Sequence, residues 1–186
     1  MQVLECISCV NQLKNAIERT DNEILPPELV HLVHQLQYQL ETLRQTTAIT
    51  EDDTSGQIDH TKVVTTAELY RIATLIYLHR SVIFTPQTSP AMQKLVSKSL
   101  SILTKLEVCT SPWPLFLTAC EVLGDDQRMI VLNVIEKMQT ERRIANVEII
   151  RGVLEGVWKR SDLIGGTERV DWKLLIGDGQ RMPSFI

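Results

Sequence analysis

The chain has 186 residues, 44% of them hydrophobic and 23% charged, with few glycines or prolines; that length suits one core, and the mixture excludes wholesale disorder. Nineteen Lys and Arg against 23 Asp and Glu leave a formal charge of −4 with no long basic run, so direct nucleic-acid contact by this segment is disfavoured. No apolar run reaches membrane-spanning length, and residues 1–10 carry Glu5 and no basic start, so the expectation is an intracellular chain with reduced thiols, no secretory leader and no membrane contact.

The apolar residues Val3, Leu4, Ile7, Val10, Leu13, Ala16 and Ile17 recur at three-and-four spacing, which predicts an amphipathic helix ending near Thr20. Cys6 and Cys9 lie on it at i and i+3. With Cys109 and Cys120 eleven positions apart, the four cysteines lack the two close pairs of a structural zinc site, and the first two read as small hydrophobes on one helix face. Pro26-Pro27 opens a second helix, striped by Leu29, Leu32, Val33, Leu36, Leu40 and Leu43. Glu28, His31 and His34 share a helical spacing that could present metal ligands, but no further ligands are pointed to, and no metal is expected.

Residues 1–47 thus read as a helical hairpin and residues 48–64, with Glu51-Asp52-Asp53, as an acidic flexible loop before a body at 65–186, the whole being one domain. Thr65-Thr66-Ala67-Glu68 has the form of a capping box and predicts a buried helix from there to Pro86. Ser89-Pro90 starts another, with Leu95, Ile102, Leu103 and Leu106 inward and Lys94, Ser97, Lys98, Ser101 and Lys105 outward.

Pro112 and Pro114 bracket Trp113, and the helix predicted from Pro114 to Gly124 carries Leu115, Phe116, Ala119, Cys120 and Leu123. A helix capped by Asp125 follows, with Ile130, Val131, Val134, Ile135 and Met138 inward. Another opens at Asn146, with Glu155 and Lys159 as an i,i+4 pair, and a short terminal one follows Asp171. The fold expected is all-α, an array of about seven or eight helices.

Glu121 is the residue that packing explains least, since a carboxylate on an apolar face requires a partner. A structural clasp with Arg128, Arg142 or Arg143 is the expectation. No His or second carboxylate is placed by sequence to work with Glu121, so no catalytic residues and no enzymatic activity are expected.

The ordered series Pro114-Leu115-Phe116, Ala119-Cys120-Glu121, Arg128, Asn146-Val147, Val157-Trp158-Lys159-Arg160 and Asp171-Trp172 resembles the C-terminal half of the regulatory domain of fungal binuclear zinc-cluster transcription factors, specifically the second type of fungal-specific transcription factor domain. The resemblance covers roughly Glu68 to Ile176. It departs at Ala119, where the family often has glycine, and at Val122, where it often has alanine. The six-cysteine zinc cluster and its basic linker are not in this sequence, so a regulatory fragment or a short relative without DNA binding is expected.

The resemblance implies a nuclear protein that regulates transcription through protein partners of the transcription machinery or through a small-molecule effector, with no cofactor in this chain. It further implies an effector pocket at Trp113, Phe116, Cys120 and Met129. The alternative is a stand-alone helical small-molecule-binding protein or enzyme that shares only the architecture. A homodimer surface on the first two helices is a further expectation.

Overall fold

The computed structural model describes residues 2–19, 26–44, 60–142, 147–165 and 170–175. Among these the chain forms seven α-helices and one 3-10 turn, with no strand, in two compact units, Met1–Phe84 and Thr85–Ile186.

The first unit holds α1 (Gln2–Glu18), α2 (Pro27–Thr42) and α3 (His60–Ser81), each packed on the other two. α1 buries Val3, Cys6, Val10 and Leu13 at the expected spacing, but Cys9 is exposed, so the two cysteines do not share the core. Burial raises the Cys6 thiol above its ordinary range, with the Cys9 and Glu5 side chains adding to the effect. α2 opens on Pro27 and buries Val33, Leu36 and Leu40, while Leu32 faces out and His31 and His34 are exposed.

The third helix starts at His60 rather than at Thr65, so residues 60–64 of the expected loop are its first turns; residues 48–59 lie outside the described residues. The capping-box reading of Glu68 gives way to a different use. Arg71, one turn on, donates from Nε and Nη2 to the two Glu68 oxygens at 2.6 and 2.7 Å and from Nη1 to the Leu40 carbonyl at 2.5 Å. A guanidinium fork thereby closes the C-terminal end of α2, whose last carbonyls have no helical partner. Tyr77 donates to Asn11 at 2.6 Å, a second polar staple, between α3 and α1. α3, which the sequence grouped with the 65–186 body, therefore packs with α1 and α2. Phe84 follows it with φ of 55°, a left-handed backbone that is strained for a bulky side chain.

The second unit holds α4 (Pro90–Lys105), α5 (Pro112–Ala119), α6 (Asp125–Arg142), α7 (Val147–Leu163) and the 3-10 turn Trp172–Leu175. The Ser89 hydroxyl caps α4, accepting from the Met92 amide at 3.2 Å. The buried face of α4 is Met92, Val96, Ser99, Leu100 and Leu103, rotated from the predicted stripe so that Leu95, Ile102 and Leu106 sit at its margins. α5 packs against α4, α6 and α7, and seven of its eight residues, all but Trp113, are buried. α6 buries Val131, Val134, Ile135 and Met138 as expected. On α7, Val147, Ile150, Val153, Leu154, Val157 and Trp158 face inward, and Glu155 pairs with Arg151 rather than with Lys159, at 2.8 Å.

Candidate functional site

α5 is short and ends in the interior, at Ala119, five residues before the predicted stop at Gly124. A buried helix end leaves carbonyls without partners, and each unmet group costs about 1–3 kcal/mol. Side chains from other elements meet them here. Trp158 Nε1 donates to the Ala119 carbonyl at 2.8 Å. Gln87 Nε2 reaches the Cys120 and Val122 carbonyls at 3.3 and 3.4 Å, and Gln93 Nε2 reaches the Glu121 carbonyl at 3.1 Å. Gln93 also donates to the Gln87 carbonyl at 2.7 Å, which fixes the first glutamine's backbone. Four successive carbonyls are thus satisfied by three side chains of α4, α7 and the segment before α4.

Inside the same helix the Thr118 hydroxyl donates to the Pro114 carbonyl at 2.8 Å and lies 2.6 Å from the Ser99 hydroxyl on α4. Thr118 has one proton and spends it on Pro114, so Ser99 is the donor to Thr118. Both hydroxyls are fully buried, which makes this a closed polar contact inside an apolar interface.

Glu121 is fully buried, but its clasp is not with Arg128. Arg128 instead forks onto Asp162 at the end of α7, Nη1 and Nη2 to the two oxygens at 2.8 and 2.6 Å, with Asp125 at 3.3 Å. The physical reason is that α6 and α7 lie side by side, which brings Asp162 to the first turns of α6. The Arg128 hydrogen bonds hold the Asp162 carboxyl below its ordinary range, and Asp162 in turn raises Arg128. The guanidinium carbon also lies 5.7 Å from the Trp158 ring centroid. Among the described residues Arg128 Nε is buried with no hydrogen-bond partner, while the same guanidinium lies over the Trp158 ring. The Arg142 side chain and Arg143 lie outside the described residues.

Phe116 and Cys120 are buried, Trp113 is half-buried, and Met129 is 55% exposed on α6. Phe116 meets Trp172 edge-on, centroids 5.2 Å apart, which pins the 3-10 turn against α5. None of the four lines either of two surface grooves. One, of about 430 Å³, is bounded by Arg128, Glu155, Trp158, Lys159, Asp162 and Leu163. The other, of about 690 Å³, runs from Glu41 to Arg44 along the end of α2 and past Val64, Glu68 and Arg71 on α3.

Three groups of the recognised series therefore touch: Phe116 with Trp172, Ala119 with Trp158, and Arg128 with Trp158. Sequence reasoning missed Gln87, Gln93, Ser99, Thr118 and Asp162, all polar residues whose partners lie far along the chain.

The family model described as the fungal specific transcription factor domain matches residues 2–185. A transcription factor of Pestalotiopsis fici, named transcription factor iacI, is 33% identical over 99 residues, 52% of this chain and 25% of that protein. The match thus spans a quarter of that relative's length. No solved structure matches the chain.

Proposed function

The chain belongs to the fungal-specific transcription factor domain family, and on that premise we propose that it is the regulatory part of a transcription factor, acting in the nucleus without chemistry or a cofactor of its own. It receives a signal by binding a protein of the transcription machinery, and contact with DNA is made by a segment other than this one. The observation that carries the reading is the family match, which runs through all seven helices and the 3-10 turn. The turn after α5 supports it. Its polar side chains Gln87, Gln93, Trp158, Ser99 and Thr118 are spent on main-chain carbonyls or on each other, which builds a rigid scaffold rather than a reactive centre.

The test is to fuse the chain to an unrelated DNA-binding module and measure a reporter gene in a fungal host. Transcription should differ from that given by the DNA-binding module alone. A fusion that is folded and nuclear yet leaves the reporter unchanged, across growth conditions, would overturn the reading.

Effector binding is a second reading, favoured by the groove beside Trp158. Phe116 and Cys120 are buried and Met129 faces solvent, whereas the groove offers the Trp158 ring, the 78% exposed Leu163 and two charges of each sign, Arg128 and Lys159 with Glu155 and Asp162. Ligand-induced rises in melting temperature, lost in Leu163→Asp, would support it. Self-association through α1 and α2 remains part of the proposal, with Leu4, Leu32 and Tyr38 exposed on those helices. Light scattering decides that point, a monomer at high concentration counting against it.

A further inference from the structure

We infer that the outer face of α2 pairs with itself: a second copy of this chain lies antiparallel on it, with Tyr38 of each copy against His31 of the other. The inference rests on the self-association reading above and gives it a face, an orientation and a register. Between Glu28 and Glu41 no residue of α2 carries a formal charge, histidine being neutral, in a chain that is 23% charged. The stretch from 108 to 120 is equally uncharged, but there seven of the eight residues of α5 are buried. α2 buries Val33, Leu36 and Leu40, and it leaves Val30, Leu32 and Tyr38 exposed, Tyr38 at 69%. A helix with the charge pattern of an interior thus stands at the surface.

At about 100° per residue, His31, His34 and Tyr38 fall within about 60° of one another over about 10 Å, opposite the buried stripe. All three are exposed, so three rings share one patch. Among the described residues, the His31, His34, Gln35 and Tyr38 side chains have no hydrogen-bond or ion-pair partner. A solvated helix face normally carries charge, whereas the centre of an interface is depleted in charge and enriched in tyrosine.

Neutrality selects the occupant. An acidic or basic partner, nucleic acid included, is recognised through counter-charges that this face does not have. Its polar groups are complementary to themselves, since the imidazoles, the Gln35 amide and the Tyr38 hydroxyl each both donate and accept. A twofold axis through the middle of the ring cluster sets position 38 of one copy opposite position 31 of the other and opposes the two helix dipoles. Glu28 and Glu41 lie about 140° apart around α2, on opposite margins of the face, so this pairing does not bring them together. One helix face is a small contact, and a dissociation constant on the order of 0.1 mM follows.

Sedimentation of the full chain from about 10 µM to about 1 mM should show a monomer-dimer equilibrium. His31→Glu and Tyr38→Lys each bury a charge in the contact and should weaken it at least about tenfold. An equimolar mixture of the two variants should associate more tightly than either alone, because the opposite charges meet between copies. Leu4→Glu, at an exposed position of α1, should leave the dimer unchanged. Circular dichroism confirms that each variant is folded, and both α2 positions are exposed. Unaltered association in the two α2 variants would overturn the proposal and leave self-association standing on another face, on α1 if Leu4→Glu abolishes it. A mixture no tighter than its components would overturn the antiparallel register. A chain that stays monomeric throughout removes the self-association reading itself and leaves the face to a different protein or to a further segment of the same polypeptide.

Discussion

The indole N–H of Trp158 donates to the carbonyl of Ala119 at 2.8 Å, across 39 positions of sequence. The same ring carries the Arg128 guanidinium on its face. One side chain of α7 thus holds the end of α5 by its edge and the start of α6 by its π system, and it is buried at 6% exposure while doing both. Trp158→Phe keeps most of the ring volume and removes the donor. The Ala119 carbonyl still accepts from the Val122 amide at 3.4 Å, so the expected loss is that of one hydrogen bond plus some packing, about 1–2 kcal/mol in urea unfolding. A variant as stable as the parent would mean that the indole bond contributes nothing.

The Ser99–Thr118 pair makes an asymmetric prediction. Ser99→Ala removes a donor and leaves Thr118 bonded to Pro114, which should cost about 1 kcal/mol. Thr118→Val takes the acceptor away from the fully buried Ser99 hydroxyl and removes the second hydrogen bond to the Pro114 carbonyl, which keeps its helical partner; about 1–3 kcal/mol is expected for the unmet hydroxyl. Thermal unfolding of the two variants should therefore rank valine below alanine. The reverse order would show that the donor assignment is inverted.

Arg128 and Asp162 predict a pH effect with a definite sign. The folded carboxyl titrates below its unfolded value because Arg128 is bonded to it. Its contribution to stability is therefore present above the unfolded pKa of about 3.9 and disappears as pH falls through the folded one. The difference in stability between the parent and Asp162→Asn should be constant near neutral pH and shrink in acid. Because Asp162 is exposed, it should also shrink with added salt. A difference that grows below about pH 4 would contradict the pairing.

Local chemistry was readable from the sequence wherever it stayed local. Ser89-Pro90 is a cap and a first-turn proline whatever surrounds it, and α4 starts there. The three-and-four spacing of Val3, Val10 and Leu13 needs only one neighbouring helix to become a core, and it does. The burial of Glu121 was inferred from the apolar residues around it. What escaped was decided by distance along the chain. The sequence offers Arg128, Arg142 and Arg143 as partners for Glu121, but Arg128 goes to Asp162, 34 positions away, once α6 and α7 lie together.

The same limit explains the helix ends. Gln87 and Gln93 are ordinary polar residues in sequence, and nothing there says that carbonyls 28 to 35 positions later will need them. Without those donors α5 reads as running on to Gly124. Glu68 reads as a capping residue because Thr65 stands three before it, yet Arg71 is equally near and carries the charge that takes it. The helix could then begin earlier, through Val63 and Val64, which propensity alone would not favour.

Arg71 leads to a prediction that runs against the usual ranking of charged substitutions. It is 7% exposed and makes three hydrogen bonds, two to Glu68 and one to the Leu40 carbonyl, whereas the Glu68 side chain is 28% exposed. Removing Arg71 leaves a carboxylate that water can reach, at the cost of the α2 end cap. Removing Glu68 leaves the better-buried charge without its hydrogen-bonded counterpart, the more expensive situation, about 3–5 kcal/mol for a buried pair broken from one side. Glu68→Leu should therefore unfold at lower urea than Arg71→Met. Arg71→Lys should fall near Arg71→Met, since an ammonium cannot span both partners as the fork does. The double variant Arg71→Met/Glu68→Leu should recover part of the loss, because two apolar side chains leave no charge behind. Additive losses in that double-mutant cycle would show that the two groups do not act as a pair, and the closure of α2 by α3 would need another source.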